Sequence, residues 1–388
     1  MEPKKLLVIT SRFPFPLEKG DKLRAYHQIK ELSKNFKVYL VSTTEHKVSD
    51  EDLTELSKFC EDVITFRINK FEKWFGVGLS LFMNRPLQIG YFHHSRIHRK
   101  IKKYLQHLQP DHIYCQLIRA AEYVKNYHEC DKTIDYMDAL SKGAERRSDQ
   151  SKGIKRIIFL SEYRRLLKYE NAIFEYFEHH TIISKQDRNY IFHSERNKIK
   201  VIPNGVDDSF LNYAKKNKQD GDLLFTGNMS YPPNIKASNY IIKAILPLMK
   251  NNPTVTIAGA DPVKEIRLLQ SNEVRITGFV EDIRQYYGSH KVFVAPMFIG
   301  TGLQNKLLEA MAVGIPCVTT TLANNALNAT PEIEILIADD AVSFAQQIER
   351  LLKDDELRTT ISRNAKKFIE RSYNWNTVTK ELIDLIGV

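Results

Sequence analysis

Between Val292 and Thr320 the chain reads VFVAPMFIGTGLQNKLLEAMAVGIPCVTT, a strand, a glycine-bearing loop, a helix and a second strand. Gly300 and Gly302, on either side of Thr301, let backbone amides come close to a ligand. The helix that opens after them presents unpaired N–H groups carrying roughly half a positive charge. A phosphate fits there. Lys306 lies one turn inside that helix on this reading, within an ammonium's reach of the phosphate, and Glu309 follows three residues later on the same face. A carboxylate so placed accepts hydrogen bonds from ribose hydroxyls, as the acidic residue of dinucleotide sites does. The set suits a nucleoside diphosphate. The same residues also suit an ordinary amphipathic helix carrying a Lys306–Glu309 surface ion pair behind a two-glycine loop, and spacing alone leaves both readings open.

Asp138, in the stretch Thr133 to Ser141, falls near the carboxyl end of a strand, where open α/β sheets bind ligands. There it could orient an acceptor hydroxyl, or equally cap a helix. Asp50-Glu51-Asp52 has the spacing of a carboxylate pair for a divalent ion, but it follows Ser49 at a helix start and reads as capping. His93-His94 and His179-His180 are adjacent pairs, and neighbours on a helix do not share a face. No catalytic metal is expected.

The elements that must position these groups alternate. Lys5 to Thr10 reads as a strand whose continuous Leu-Leu-Val-Ile run implies burial on both faces, as in a parallel sheet. A proline-rich loop, a helix N-capped by Asp21 and a strand from Lys37 to Ser42 complete a βαβ unit. The alternation restarts after the Pro203-Asn204-Gly205 turn, which reads as the hinge, with strands from Leu223, Val255, Val274, Val292 and Pro316 and a long helical stretch from Ala341. Two Rossmann-like domains are expected, over 1–200 and 201–370, with a C-terminal helix over 371–388 whose Trp375 could anchor it back on the first domain.

Composition narrows the classes. With 388 residues, 43% hydrophobic and 27% charged, the chain is globular, and at roughly 100 to 200 residues per domain it excludes both disorder and a disulfide-stapled miniature. Cys60, Cys115, Cys130 and Cys317 form no C-x-x-C pair and read as buried reduced thiols. The apolar run after Lys5 is too short for a signal peptide, and no stretch approaches the roughly 18 apolar residues of a membrane span. A cytoplasmic location is expected. Residues 1–200 hold 37 Lys and Arg against 26 Asp and Glu, whereas residues 201–388 hold 20 against 21. A basic half suggests an anionic partner, nucleic acid or a phospholipid surface, and solubility alone is the plain alternative. Phe71, Trp74, Phe75, Leu79, Leu81, Phe82, Met83, Tyr91 and Phe92 lie beside Arg96, Arg99, Lys100, Lys102 and Lys103. That mixture fits an interfacial membrane segment on the inner face of the cytoplasmic membrane, although covering the sheet is the ordinary fate of such aromatics.

Seven ordered motifs give the chain a resemblance. They are Gly20-Asp21-Lys22-Leu23-Arg24, Val201 to Asp207, Phe225-Thr226-Gly227-Asn228-Met229, Thr277-Gly278-Phe279, Lys306 to Ala312, Gly314 with Pro316, and Tyr373-Asn374-Trp375. Across almost its whole length the sequence resembles the bacterial glycosyltransferases of the GT-B fold, retaining family 4 (glycosyl transferases group 1), nearest to the exopolysaccharide-associated sugar transferases. The resemblance implies two facing Rossmann-like doubly wound domains with a cleft between them, the first binding acceptor and the second a nucleotide-sugar donor. It implies that Glu309 holds the donor ribose, that Gly300, Thr301, Gly302, Asn305 and Lys306 line the diphosphate and sugar, and that Gly227 and Asn228 join them. Gly20 meets the donor from the first domain, and Arg24 contacts the acceptor. Lys306 and Asp138 are the expected catalytic residues. The nucleotide-sugar is a co-substrate and no cofactor is implied.

Two departures stand out. The family usually carries a glutamate eight residues before Glu309, where this chain has Thr301, and an arginine shortly after Gly227, where it has Asn228, Met229 and Ser230. Lys306 then carries the phosphate charge more alone, or with Lys236. The implied activity is transfer of a sugar from a nucleoside-diphosphate sugar to a glycan or lipid-linked acceptor in cell-surface polysaccharide biosynthesis. A nucleotide-sugar epimerase of the same fold and a basic nucleic-acid-binding protein are the alternatives. Thr301 supplies no acid or base for the first, and the cations are not interleaved with base-stacking aromatics for the second. No nucleic-acid partner is expected.

Overall fold

The structure, a computed structural model, describes residues 2–214, 220–299 and 302–387. The chain divides into two compact units, Met1–Pro203 with Thr379–Val388, and Asn204–Val378. The first cut falls three residues beyond the expected 200/201 boundary, because Lys200–Val201 pairs as an edge strand of the first sheet.

In the first unit seven strands run parallel: β1 (Lys5–Thr10), β2 (Lys37–Thr44), β3 (Asp62–Arg67), β4 (His112–Gln116), β5 (Asp131–Asp135), β6 (His179–Ile182) and β7 (Lys200–Val201), in the order β3-β2-β1-β4-β5-β6-β7. Alternate side chains of β1 enter different cores, Leu7 and Ile9 on one face and Leu6 and Val8 on the other. That is why the strand reads as an unbroken apolar run. Leu382 and Ile386, near the end of the terminal helix Trp375–Gly387, join the core that holds Leu6. Trp375 itself belongs to the second unit, where it covers Gly205 so closely that a Cβ there would lie 2.7 Å from the Trp375 Cα. The aliphatic side chains of that helix, not Trp375, pack into the first unit.

In the second unit β8 (Gly221–Thr226), β9 (Val255–Ala258), β10 (Val274–Ile276), β11 (His290–Ala295), β12 (Cys317–Thr319) and β13 (Leu336–Ile337) form a parallel sheet ordered β10-β9-β8-β11-β12-β13 around one core. Both units are therefore doubly wound α/β sheets, as expected. Each reverses strand order once, between β1 and β4 and between β8 and β11. The crevice beyond the carboxyl ends at such a reversal is where open α/β sheets bind ligands.

Local readings shift in three places. His179-His180 stands on strand β6, so the two rings alternate across the sheet, and His180 stacks 3.7 Å from the Phe174 ring. Asp21 lies in the first turn of the helix Gly20–Leu32, N-capped at Lys19, where it pairs with Arg12 at 2.6 Å. Ser49 does cap Asp50–Ser57, accepting from the Asp52 N–H at 3.1 Å. The larger surprise is the helix Lys70–Phe82. It buries Lys73, Gly76 and Ser80 and turns its aromatic residues outward: Phe71 is 79%, Trp74 73% and Phe82 91% exposed. Those side chains do not cover the sheet.

Candidate functional site

The helix Asn305–Val313 places Lys306 in its first turn and not one turn inside it, beside the N–H groups that no helix can pair internally. Leu307, Leu308, Ala310 and Met311 are buried and fix the helix against the sheet. Gly314, at φ 82°, ends it by donating its N–H to the Ala310 and Met311 carbonyls. The buried face leaves Lys306 and Glu309 partly exposed beside the carboxyl end of β8.

The Lys306 amine lies 4.7 Å from the centroid of the Phe225 ring and 4.0 Å from the Met297 sulfur, and it donates to the Asn234 Oδ1. Gly227 makes this possible. A Cβ at that position would stand 3.3 Å from the Lys306 Nζ and 2.6 Å from the Asn234 amide nitrogen, and its φ of 149° is one that side chains rarely adopt. Asn234 is held in turn by donating to the Asn228 carbonyl at 2.8 Å. Crowding by protein pushes the Lys306 ammonium down to about 7, with Glu309 opposing the fall. The same crowding raises the Glu309 carboxyl to about 7, against the pull of Tyr287 and Lys306. Tyr287 donates to Glu309 Oε2 at 2.9 Å and sits 2.7 Å from Thr226 Oγ1, tying the carboxylate to the last residue of β8. An amine and a carboxyl group thus flank the strand end where the sheet reverses.

Of the residues expected around a donor, Gly227, Lys306 and Glu309 come together here. Asn305 opens the helix and accepts from the Asn204 amide at 3.2 Å. Asn228 is exposed and occupied elsewhere, accepting from Ser230 and donating to Asp261 at 3.0 Å. The Gly302 carbonyl accepts from the Gln304 side chain at 3.0 Å. Gly300 and Thr301 lie outside the described residues. Lys236 is exposed in a neighbouring groove of about 810 Å³ lined by Pro232, Ile235, Tyr240, Phe298 and Ile299. Asn234, Phe225, Met297 and Tyr287 are the residues that sequence reasoning missed. For Asn234 the one available signal is an amide set just after the Pro232-Pro233 helix start.

In the first unit Arg24, expected to contact the acceptor, is turned inward. Its guanidinium is wholly buried, with Nε 2.6 Å from Asp135 Oδ2, and it donates to the Pro203 carbonyl at 3.2 Å. Tyr114 and Thr181 also donate to Asp135, at 3.0 Å each. Arg24 is therefore a structural partner of Asp135, since buried polar groups need hydrogen-bond partners. Gly20 is exposed at the start of its helix with open space where a Cβ would stand. Asp138 is exposed beyond the end of β5. Asp138 does not cap the following helix, whose N-cap position is Ala139 and has no side-chain cap hydrogen bond. At the strand reversal itself stand Arg12 and Arg119, their guanidinium carbons 5.6 and 5.4 Å from the Phe92 ring centroid.

Residues 220–354, which contain Gly227, Asn234, Tyr287, Lys306 and Glu309, match the family model for glycosyl transferases group 1. A protein of Klebsiella pneumoniae described as an uncharacterized 44.6 kDa protein in the cps region is 23% identical over 164 residues, 39% of this chain and 42% of that protein; the chain thus matches less than half the length of that curated relative. Among solved structures, sucrose-phosphate synthase from Thermosynechococcus elongatus is similar at a TM-score of 0.69, 16% identity, and 98% coverage of both chains. HepE of Anabaena, solved in complex with UDP and glucose, is similar at a TM-score of 0.69, 14% identity and 99% coverage of both chains. The fold is the GT-B fold, and the matched segment supports a glycosyltransferase.

Proposed function

We propose that this protein transfers a glycosyl unit from a nucleoside-diphosphate sugar, with retention of configuration, to a glycan or lipid-linked acceptor of a cell-surface polysaccharide. The observation that carries the reading is the convergence of Lys306, Glu309 and Gly227 on the carboxyl end of β8. Glu309 accepts from the ribose hydroxyls and Lys306 meets the diphosphate. UDP is the nucleotide of choice, since the similar HepE structure holds it. Cleavage of the bond between the sugar C1 and the terminal phosphate oxygen leaves negative charge on the diphosphate, which the Lys306 ammonium and the helix N-terminus stabilise. The acceptor oxygen bonds to C1 from the same face, and its proton passes to the departing phosphate oxygen. Asp138 is assigned to orient the acceptor hydroxyl. Removing the Lys306 charge raises the barrier by roughly 2 to 4 kcal/mol, the range found for single oxyanion donors.

A thermal-shift screen of UDP, GDP, ADP and dTDP sugars tests the donor assignment. One of them stabilises the protein, by about 2.7 kcal/mol at a hundred times its dissociation constant. Silence from all four removes the reading, and a shift that survives Glu309→Ala removes the ribose role.

A further inference from the structure

The outward face of Lys70–Phe82 has a specific structural origin. A Cβ on Gly76 would lie 2.0 Å from the Gly90 carbonyl oxygen, and one on Gly90 would lie 1.9 Å from the Ser80 hydroxyl. The helix therefore rests on the neighbouring helix Leu87–Phe92 through its small residues, at backbone contact. Lys73, on the same inner face, is fixed by Glu45 at 3.0 Å. With that side committed, Phe71, Trp74, Phe75, Leu79, Phe82 and Met83 have only the outer surface. A second exposed apolar stretch lies on the helix Gly153–Phe174. Glu162 accepts from the Leu87 and Gln88 N–H groups at 2.7 and 3.1 Å, and Arg165 donates to the Arg85 carbonyl, which sets the helix Gly153–Phe174 beside the end of this pair. One and two turns before Glu162, Ile158 and Ile154 are exposed, with Ile157 between them.

Charge identifies the partner. Residues 70–108 contain eight Lys and Arg against Glu72 alone, and Glu72 is already paired with Arg96 at 2.9 Å. Residues 152–168 contain six against Glu162 alone, and Glu162 is turned inward. Arg99, Lys100, Lys102 and Lys103 lie on the exposed face of Ser95–Leu108, while its Ile97, Ile101 and Leu105 are buried. Lys73 and Arg85 are also paired, with Glu45 and Glu122, which leaves Lys70, Arg99, Lys100, Lys102 and Lys103 as the exposed cations of this stretch. A large aromatic face accompanied by these cations matches the acyl boundary of a lipid layer overlaid by acidic headgroups. A protein partner would need an acidic rim around an equally apolar centre. No described helix is long and apolar enough to cross a membrane, so the contact is in-plane.

We infer that the first unit seats on an anionic bilayer surface, with Phe71, Trp74, Phe75 and Phe82 inserted and the cations of 96–103 and 152–156 against the headgroups. The inference is independent of the donor reading, which a nucleotide-sugar shift tests without lipid. Trp74 provides a direct probe, because the chain's other tryptophan, Trp375, is buried. The full chain is mixed with vesicles of phosphatidylcholine alone, or of equal parts phosphatidylcholine and phosphatidylglycerol. Sedimentation with the anionic vesicles and a blue shift of the tryptophan emission are expected, both lost with neutral vesicles. Replacing Phe71, Trp74, Phe75 and Phe82 by serine abolishes sedimentation while the nucleotide-sugar shift persists. Replacing Arg99, Lys100 and Lys103 by glutamine weakens partitioning by about a hundredfold, at about 1 kcal/mol per cation. Unchanged emission with anionic vesicles overturns the inference. So does sedimentation velocity without lipid that shows a dimer abolished by the four serines, since a second copy would then be the occupant.

Discussion

An amine packed against a phenyl ring and a thioether, with the Asn234 amide oxygen beside it, gives up its proton near neutrality, and Lys306 is such an amine. The sign of its effect follows. A bound diphosphate favours the ammonium, so affinity falls as pH rises above about 7, tenfold per unit. Glu309 works in the opposite sense: ribose hydroxyls favour the carboxylate, so affinity falls as pH drops below about 7. Calorimetric titration with UDP across the neutral range should give a bell. Lys306→Met should erase its alkaline limb and Glu309→Gln its acid limb, and a flat wild-type profile would exclude both roles. Asn234→Asp places a carboxylate beside the amine and should move the alkaline limb up by about one to three units. Gly227→Ala should weaken UDP binding, because its Cβ occupies space between Asn234 and Lys306. Gly227, Lys306 and Glu309 are legible in the sequence. Their partners are not, since Asn234 and Tyr287 reach the amine and the carboxylate from helices 72 and 22 residues away in the chain.

Two helix contacts in the first unit carry predictions of their own. The Gly76–Gly90 crossing tolerates no added atom, so Gly90→Ala should destabilise by about 1 to 3 kcal/mol, the cost of overpacking, and lower the thermal midpoint measured by circular dichroism. Glu170, on Gly153–Phe174, braces the start of Leu140–Asp149 by accepting from the Ser141 N–H at 2.9 Å. Its other carboxyl oxygen is buried without a partner, and burial lifts the group to about 7. A carboxyl raised in the folded state keeps its proton where the unfolded chain has lost it. Its contribution is therefore complete at low pH and is lost as pH climbs from the ordinary carboxyl range through about 7. Denaturant titrations should show Glu170→Gln flattening that part of the wild-type stability profile. An unchanged slope would mean that Glu170 is ionised in the fold. Which neighbour covers Gly76, Gly90 and Ser141 is absent from the sequence, because each contact joins two separate helices.

At the scale of the molecule the two units have separate cores, and the buried Arg24–Asp135 pair belongs to the first. Removing one partner of such a pair costs about 3 to 5 kcal/mol, because the other is left charged and dry. Scanning calorimetry of Arg24→Met should show a lowered transition for the first unit, while UDP should raise the transition of the second. A single transition moved equally by both would mean the units unfold together. The sequence by itself determined the doubly wound sheets and the glycine, lysine and glutamate around a helix start. Strands covered on both faces must be continuously apolar, and Lys306 and Glu309 share a helix face because they lie three residues apart in the chain. Only the tertiary structure decided that Arg24 turns inward, that Lys306 shares its amine with Asn234, and that the aromatic face of Lys70–Phe82 turns outward. Each of these depends on which side of an element a sequence-distant neighbour covers, and hydrophobic spacing records that an element has two faces without recording which one is met.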